Sequence, residues 1–323
     1  MRYRRSDTTG TTDDTAEASP PVPPAGAGLS RRGLLRGGAA LGALGIGSVA
    51  ATGCSRVSTA ASGGGGNLLE RLRKQGVVRV GIAGEVPYAY IDKNGHLTGE
   101  APTVCGTIFK RLSVPRITPV PIDFGSLIPG LHANQFDVVC AGMFINPTRC
   151  QQVLFSDPDY QVQDAFLVRK GNPKNLHTYQ DIAKSGAVMG TGTGYAEIGY
   201  ATSLGVKPSK MEIFPDQISG LDGLEAGRVD VFVGTSLTVR LALKTGSHPG
   251  IEMTQPFIPV VDGKKQYGAG GYGFRPGETN LRNAFNAELL TMKRSGELLR
   301  LVSPFGFTKT EMTTLTAKEL CSG

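Results

Sequence analysis

One segment of this chain occurs twice. Ser126-Leu-Ile-Pro-Gly-Leu-His-Ala-Asn-Gln-Phe-Asp-Val-Val139 and Ser219-Gly-Leu-Asp-Gly-Leu-Glu-Ala-Gly-Arg-Val-Asp-Val-Phe232 share Ser, Gly, Leu, Ala, Asp and Val at a constant offset of 93, without a gap. Each copy reads as a short helix, a turn at Asn134 or Gly227, and a buried strand. A solenoid needs three or more repeats, so two copies describe two similar lobes. A chain of 323 residues is long enough to give each lobe its own core. The register sets Gly142 of the first copy against Thr235 of the second. Both are expected just past a strand end, where a cleft between lobes would lie.

The first copy runs into Phe136-Asp-Val-Val-Cys-Ala-Gly-Met-Phe-Ile-Asn-Pro-Thr-Arg149. Phe136 to Cys140 is a short apolar run bounded by polar residues, a buried strand. Ala141-Gly142 bares the backbone, Phe144 adds an aromatic face, and Asn146-Pro147 turns the chain toward Arg149. Open α/β sheets bind ligands beyond the carboxyl ends of their strands. A guanidinium placed there matches a carboxylate with a fork of donors. Alone, Arg149 would be an ordinary surface arginine near a helix start.

The rest of the chain alternates strand and helix signals, which implies a mostly parallel sheet. Leu68, Leu69 and Leu72 form one short helix face stopped by Gly76. Val77–Ala83 is a strand, left through Gly84-Glu85-Val86-Pro87-Tyr88. Asn94-Gly95 marks a hairpin. A helix over 103–112, a strand over 116–121 and a helix over 126–133 follow. Later elements are read over 187–189, 194–204, 211–214 and 237–244. The glycine-rich run Gly268–Gly273 reads as a crossing segment. An amphipathic helix spans 278–294, and a helical tail is expected over 297–320.

The amino-terminal 29 residues lack a hydrophobic period and read as disordered. Ser30-Arg31-Arg32-Gly33 then precedes Gly37–Gly53, an uncharged run of small residues. A positive region, an apolar region and a small-residue site is the order of an export signal. The run is too short and glycine-rich for a membrane span of about 20 residues. Arg31 and Arg32 resemble the twin-arginine signal. Ala51-Thr52-Gly53-Cys54 resembles a bacterial lipoprotein box, which implies lipidation at Cys54. The expected division is a signal over 1–53 and a flexible tether over 54–66. Lobe 1 is then 67–168 with 268–323, and lobe 2 is 169–267.

Net charge is +7, of which residues 1–53 supply +2 through six Arg and four acids. No Lys/Arg block is interleaved with aromatics, so nucleic acid is not an expected partner. Cys105, Cys140, Cys150 and Cys321 lack metal-site spacing, and the chain has only four His. No metal site and no cofactor are expected. Export is compatible with one or two disulfides, and the spacing leaves their pairing open.

From Asn67 to about Thr313 the chain resembles the solute-binding proteins of bacterial ABC importers, in the polar amino-acid cluster known as family 3. Val78-Arg-Val-Gly81, Asn94-Gly-His-Leu-Thr-Gly99, Phe136-Asp137, Ile145-Asn-Pro-Thr-Arg149 and Phe155-Ser-Asp-Pro158 stand in that family's order. Within it, Gly99-Glu-Ala-Pro102, Ala141-Gly-Met-Phe-Ile145, Arg149-Cys150 and Phe305-Gly-Phe-Thr308 are most similar to the ectoine/hydroxyectoine-binding proteins. The resemblance implies an α/β fold of two lobes joined by two hinge crossovers, the periplasmic-binding-protein-like fold, which closes on its ligand. Amino-acid binders of the family place an Asp five residues after the Asp of the second-lobe strand, to hold an α-ammonium. Counted from Asp230, that position here is Thr235, which cannot neutralise an ammonium.

The function expected is therefore capture of a compatible solute, ectoine or hydroxyectoine, by an extracytoplasmic lipoprotein that delivers it to membrane permease subunits. The ligand is a small zwitterion, and the receptor is expected to be a monomer. The site residues expected are Arg149 for the carboxylate, and Tyr88, Phe124 and Phe144 as aromatic faces for a soft cation. Glu85 complements the cation, and Gly142 lies at the strand exit. Thr193 and Gly194 are expected to donate to the carboxylate, with one neutral hydrogen bond from Thr235. A polar or basic amino acid is the alternative ligand. An exported dehydratase on the same fold is the other alternative, since Glu85 is a candidate acid in the cleft. No catalytic triad or phosphate loop accompanies it, and no enzyme is expected.

Overall fold

The structure is a computed structural model and describes residues 67–322. The export signal with Arg31 and Arg32, the lipidation residue Cys54 and the tether lie outside the described residues.

The first pass contains α1 (Leu68–Gln75), β1 (Val77–Ile82), β2 (Tyr90–Ile91), β3 (Leu97–Thr98) and α2 (Glu100–Arg111). It continues through β4 (Arg116–Pro121), α3 (Leu127–His132), β5 (Val138–Phe144), α4 (Pro147–Cys150), β6 (Leu154–Phe155) and β7 (Tyr160–Val162). The middle of the chain supplies β8 (Asp164–Arg169), α5 (Tyr179–Ser185), β9 (Met189–Gly192), α6 (Glu197–Ser203), β10 (Met211–Phe214), α7 (Gln217–Glu225) and β11 (Val231–Thr235). After α8 (Ser236–Ala242) come β12 (Ile251–Met253), β13 (Val260–Val261), β14 (Lys264–Lys265) and β15 (Gly268–Phe274). The chain ends in α9 (Thr279–Ser295), α10 (Glu297–Val302) and α11 (Ala317–Ser322).

Two main sheets result, ordered β4-β1-β5-β15-β6, with β7 also on β15, and β10-β9-β11-β8-β12. In each, three parallel strands meet an antiparallel one, β15 on β5 and β8 on β11. The sheets are thus mixed rather than mostly parallel, because each crossover strand runs back against its sheet. The two lobes face one another through these crossovers. β8 belongs to the second sheet, so strand pairing puts the first crossover at Gln163, between β7 and β8, and not at 168. Phe109, Tyr272, Phe274 and Phe285 sit in the first core, and Phe166, Tyr179 and Val231 in the second.

The repeat is visible in three dimensions. Each copy places a helix and then the strand that stands third in its sheet. The turn residues Asn134 and Gly227 are both left-handed, at φ 57° and 78°. The Asp after each turn caps the neighbouring strand. Asp137 accepts from the Arg79 backbone N–H (3.0 Å) and Asp230 from that of Val188 (2.9 Å). Asp137 also takes the Arg79 side chain at 2.9 Å.

Two elements depart from the sequence reading. The expected tail helix over 297–320 is broken after Val302, where Pro304 and Gly306 (φ 89°) cannot continue it. Gly268–Gly273 is a crossing segment that also forms a buried central strand, β15. Its missing side chains make room for rings. A Cβ on Gly268 would stand 2.7 Å from the Phe144 ring, and one on Gly270 would overlap Tyr160. A disulfide joins Cys150 to Cys321 with Cα atoms 5.6 Å apart, fastening α11 to α4. Cys105 and Cys140 are buried free thiols.

Candidate functional site

Between the sheets lies a small cavity of about 20 Å³ lined by Glu85, Tyr88, Phe124, Gly142, Phe144, Arg149, Tyr195, Ala196 and Glu197. Six of these are residues singled out in the sequence, and all six come from the first lobe. β5 runs on to Phe144, so Gly142 sits inside the strand and not past it. It must be glycine. Its φ is 64°, and a Cβ would stand 2.5 Å from the Tyr88 ring. Asn146 then caps α4 by accepting from the Arg149 backbone N–H at 2.9 Å, with Pro147 at the first helical position. That cap fixes where the Arg149 side chain leaves the backbone.

Arg149 is half-buried. Its Nη1 donates to the Phe144 carbonyl (2.8 Å) and its Nη2 to the Gly194 carbonyl across the cleft (3.0 Å). Its guanidinium carbon lies 5.4 Å from the centre of the Phe124 ring. Among the described residues no carboxylate lies within 4.0 Å of it. Burial pushes its pKa down, opposed by Tyr200 and Glu197. A guanidinium has more donors than two carbonyls can use, so an anion can still be bound.

Two acids face this cation. Glu85 is 7% exposed and accepts a 2.9 Å hydrogen bond from the Thr238 hydroxyl of the other lobe. Burial raises its pKa to about 7, against the Thr238 hydrogen bond and with help from the Glu197 charge. Glu197, at the start of α6, is 2% exposed. Burial raises it to about 7 as well, against its own backbone N–H and Arg149. Its Oε1 accepts no hydrogen bond among the described residues.

Aromatic rings close the rest. Tyr88 stacks on Tyr160 at 5.3 Å and meets Phe307 edge-on at 6.1 Å. Phe124 meets Tyr195 edge-on at 5.6 Å, one ring from each lobe. The Tyr88 hydroxyl and Thr235 Oγ1 are hydrogen-bonded at 2.8 Å.

Three expected residues have other roles in this arrangement. Thr193 directs both its N–H (3.0 Å) and its hydroxyl (3.2 Å) at the Phe214 carbonyl, because it continues the β9–β10 pairing. Gly194 offers Arg149 its carbonyl. Its φ of 76° lets the chain pass close to Gly125, where a Cβ would stand 2.9 Å from Gly125 Cα. Thr235 caps α8 by accepting from the Thr238 N–H at 3.1 Å and gives its hydroxyl proton to Thr238 Oγ1, so it braces the wall rather than lining the cavity. The sequence reading missed Tyr195, Ala196, Glu197 and Thr238. An acid in the first turn of a helix is ordinarily a dipole-satisfying surface residue, and only the tertiary structure shows Glu197 to be buried on the cavity wall.

Comparison with known proteins agrees with this geometry. Residues 78–308 match the family described as bacterial extracellular solute-binding proteins, family 3. A probable amino-acid ABC transporter periplasmic-binding protein of Sinorhizobium fredii is 34% identical over 263 residues, covering 79% of this chain and 86% of that protein. The crystal structure of EhuB in complex with hydroxyectoine superimposes with a TM-score of 0.74 at 36% identity, over 79% of this chain and 98% of that one. More distant is the cyclohexadienyl dehydratase of Pseudomonas aeruginosa, 22% identical over 200 residues, 62% of this chain and 73% of that protein.

Proposed function

The chain belongs to the bacterial extracellular solute-binding proteins of family 3, and from that premise we propose that it captures ectoine and hydroxyectoine for an ABC importer. Membership implies a small solute, permease partners in the membrane and a place outside the cytoplasm. The finer reading rests chiefly on one arrangement. A half-buried Arg149, with no acid within ion-pair distance among the described residues, stands among Phe124, Phe144 and Tyr88, and Glu85 stands in the same cavity. Ectoine is a small ring bearing a carboxylate and a delocalised amidinium. Its carboxylate suits Arg149. Its soft cation suits aromatic faces, each worth about 0.5–2 kcal/mol. The hydroxyectoine complex of EhuB, at 36% identity, supports the same ligand class.

A polar amino acid is the second reading. It is favoured by the description of the Sinorhizobium relative and by two buried acids that could receive an ammonium. Thr235 argues against it, since the position expected to carry an acid for the α-ammonium holds a hydroxyl engaged with Tyr88. Calorimetric titration with ectoine, hydroxyectoine, proline, glycine betaine and histidine separates the two. Tighter binding of histidine than of ectoine would sink the first. Binding without turnover is part of the proposal, and conversion of prephenate by the purified protein would refute that part.

The same proposal places the protein on the outer face of the membrane through a lipid on Cys54, exported by way of Arg31 and Arg32 and acting as a monomer. Cys54→Ser is expected to release it from the membrane fraction. Retention of that variant would exclude Cys54 as the anchor.

A further inference from the structure

A second, larger cavity of about 540 Å³ lies on the first lobe, and none of its lining residues lines the cleft. Part of its wall is one face of α9, which carries Asn286, Leu290, Lys293 and Arg294 at helical spacing. Leu298 and Leu299 of α10 continue it, and the extended segment 312–316 completes it. That segment is tied at both ends. Thr313 Oγ1 donates to Gln161 Oε1 at 3.0 Å, and the Ala317 N–H donates to Asp157 Oδ1 at 2.9 Å. The gap is therefore held open where close packing would ordinarily fill it. Leu289, Leu290, Leu298, Leu299, Met312 and Leu315 make its wall largely apolar. Leu290 is 46% exposed, so this wall opens to solvent.

Two cations and one acid stand on the same wall, a balance of one positive charge. Lys293 is half-buried, and its Nζ donates to the Pro158 carbonyl at 2.8 Å, which uses one of three N–H groups. Burial lowers its pKa, against the Asp159 and Asp157 charges. Arg294 is exposed. Among the described residues neither cation has an acid within 4.0 Å. Asp157 spends one oxygen on the Ala317 N–H and the other on the Asn286 amide at 3.4 Å.

We propose that this cavity is a second binding site, for a single-chain amphipathic monoanion, a medium-chain carboxylate. Its chain lies on the leucines, and its head takes the unused donors of Lys293 and Arg294. The volume lies within the range of about 300–1,000 Å³ usual for small-molecule sites. That suits one alkyl chain better than the two of a phospholipid. Asp157 on the wall disfavours a dianion such as a phosphate monoester, and a cationic amphiphile would set like charges together. The inference stands whichever solute the cleft takes.

The test is calorimetric titration of the full chain with hexanoate, octanoate and decanoate, below micelle formation, and with decyltrimethylammonium as the control. Affinity should rise about fourfold for each added CH2, the increment for burying one. Decanoate should bind at least about 10-fold tighter than decyltrimethylammonium. Leu290→Glu, at an exposed position, sets a like charge against the bound anion and should weaken decanoate at least about 10-fold. Arg294→Glu should weaken decanoate at least about threefold and narrow its margin over decyltrimethylammonium. The inference is overturned if decanoate shows no saturable binding, if affinity does not rise with chain length, or if the cationic amphiphile binds as well. Decanoate affinity unchanged in both variants also overturns it, because the amphiphile is then held elsewhere. The wild-type chain-length series and charge preference decide the matter even if a variant melts early.

Discussion

At the scale of single residues, the proposed binding chemistry rests on Arg149 and on the two acids, Glu85 and Glu197, that line the same cavity. Arg149→Ala should weaken ectoine binding by at least about 2 kcal/mol, because the ligand carboxylate would be buried without a partner. A smaller loss, read by calorimetry, would move the carboxylate elsewhere in the cavity. The acids predict a pH dependence. Each ordinarily titrates near 4.5 and is raised to about 7 in the closed structure. Between those values the native protein holds protons that the unfolded chain has lost. Their contribution is full below about pH 4.5 and is lost as pH rises through about 7. The thermal midpoint of the ligand-free protein should therefore fall between about pH 5 and pH 8, and fall less in Glu197→Gln. A flat profile would mean that the acids are solvated. The first-lobe half of this site could be read from sequence. Tyr88, Phe124, Phe144 and Arg149 each follow a strand or stand at its end, and strand ends are where such sheets bind ligands. The second-lobe half could not be read that way. Thr193 has the composition of an anion donor, yet sheet pairing claims both its donors. Glu197 has the composition of a helix-start acid, yet it is buried.

At the scale of elements, the repeat carried more information than any single motif. Its ungapped register fixed two helix–turn–strand units, and their Asp residues turn out to cap equivalent neighbouring strands. Strand lengths were less legible, because β5 continues through a left-handed Gly142 that reads as a terminus. The tail was misread for a related reason, since apolar spacing outweighed Pro304 and Gly306. Disulfide pairing depends on that tail, and no spacing rule could supply it. Cys150–Cys321 spans 171 residues and fixes α11 against the helix that carries Arg149. Replacing both cysteines with serine should cost about 2–5 kcal/mol of stability, because a long loop in the unfolded chain is released. Chemical denaturation would measure it. The same double variant should lose ligand affinity only modestly, since the Asn146 cap and the Phe144 carbonyl hold Arg149 independently. A loss as large as that of Arg149→Ala would show that α11 positions the arginine.

At the scale of the whole molecule, hydrogen bonds and ring packing cross the cleft. Arg149 reaches Gly194, Tyr88 reaches Thr235, Thr238 reaches Glu85, and Phe124 packs on Tyr195. Each joins a group near the first sheet to one near the second, and three of them involve atoms that bind or brace the ligand cavity. The three hydrogen bonds among them can be exchanged for water when the crossovers at Gln163 and before Gly268 bend. A ligand seated in the cavity that residues of both lobes line would add further links between the same two walls, and would stabilise the closed form by its difference in affinity for the two states. Saturating ectoine should therefore reduce the radius of gyration measured by small-angle scattering, with the change confined to the relative placement of two unchanged lobes. Phe124→Ala removes one cross-cleft packing contact and should leave the ligand-free protein more open while still permitting compaction on ligand. If saturating ligand leaves the scattering of the wild-type protein unchanged, the cavity is closed before binding. Entry would then require local opening at the Phe124–Tyr195 edge, and Phe124→Ala would speed association without altering shape.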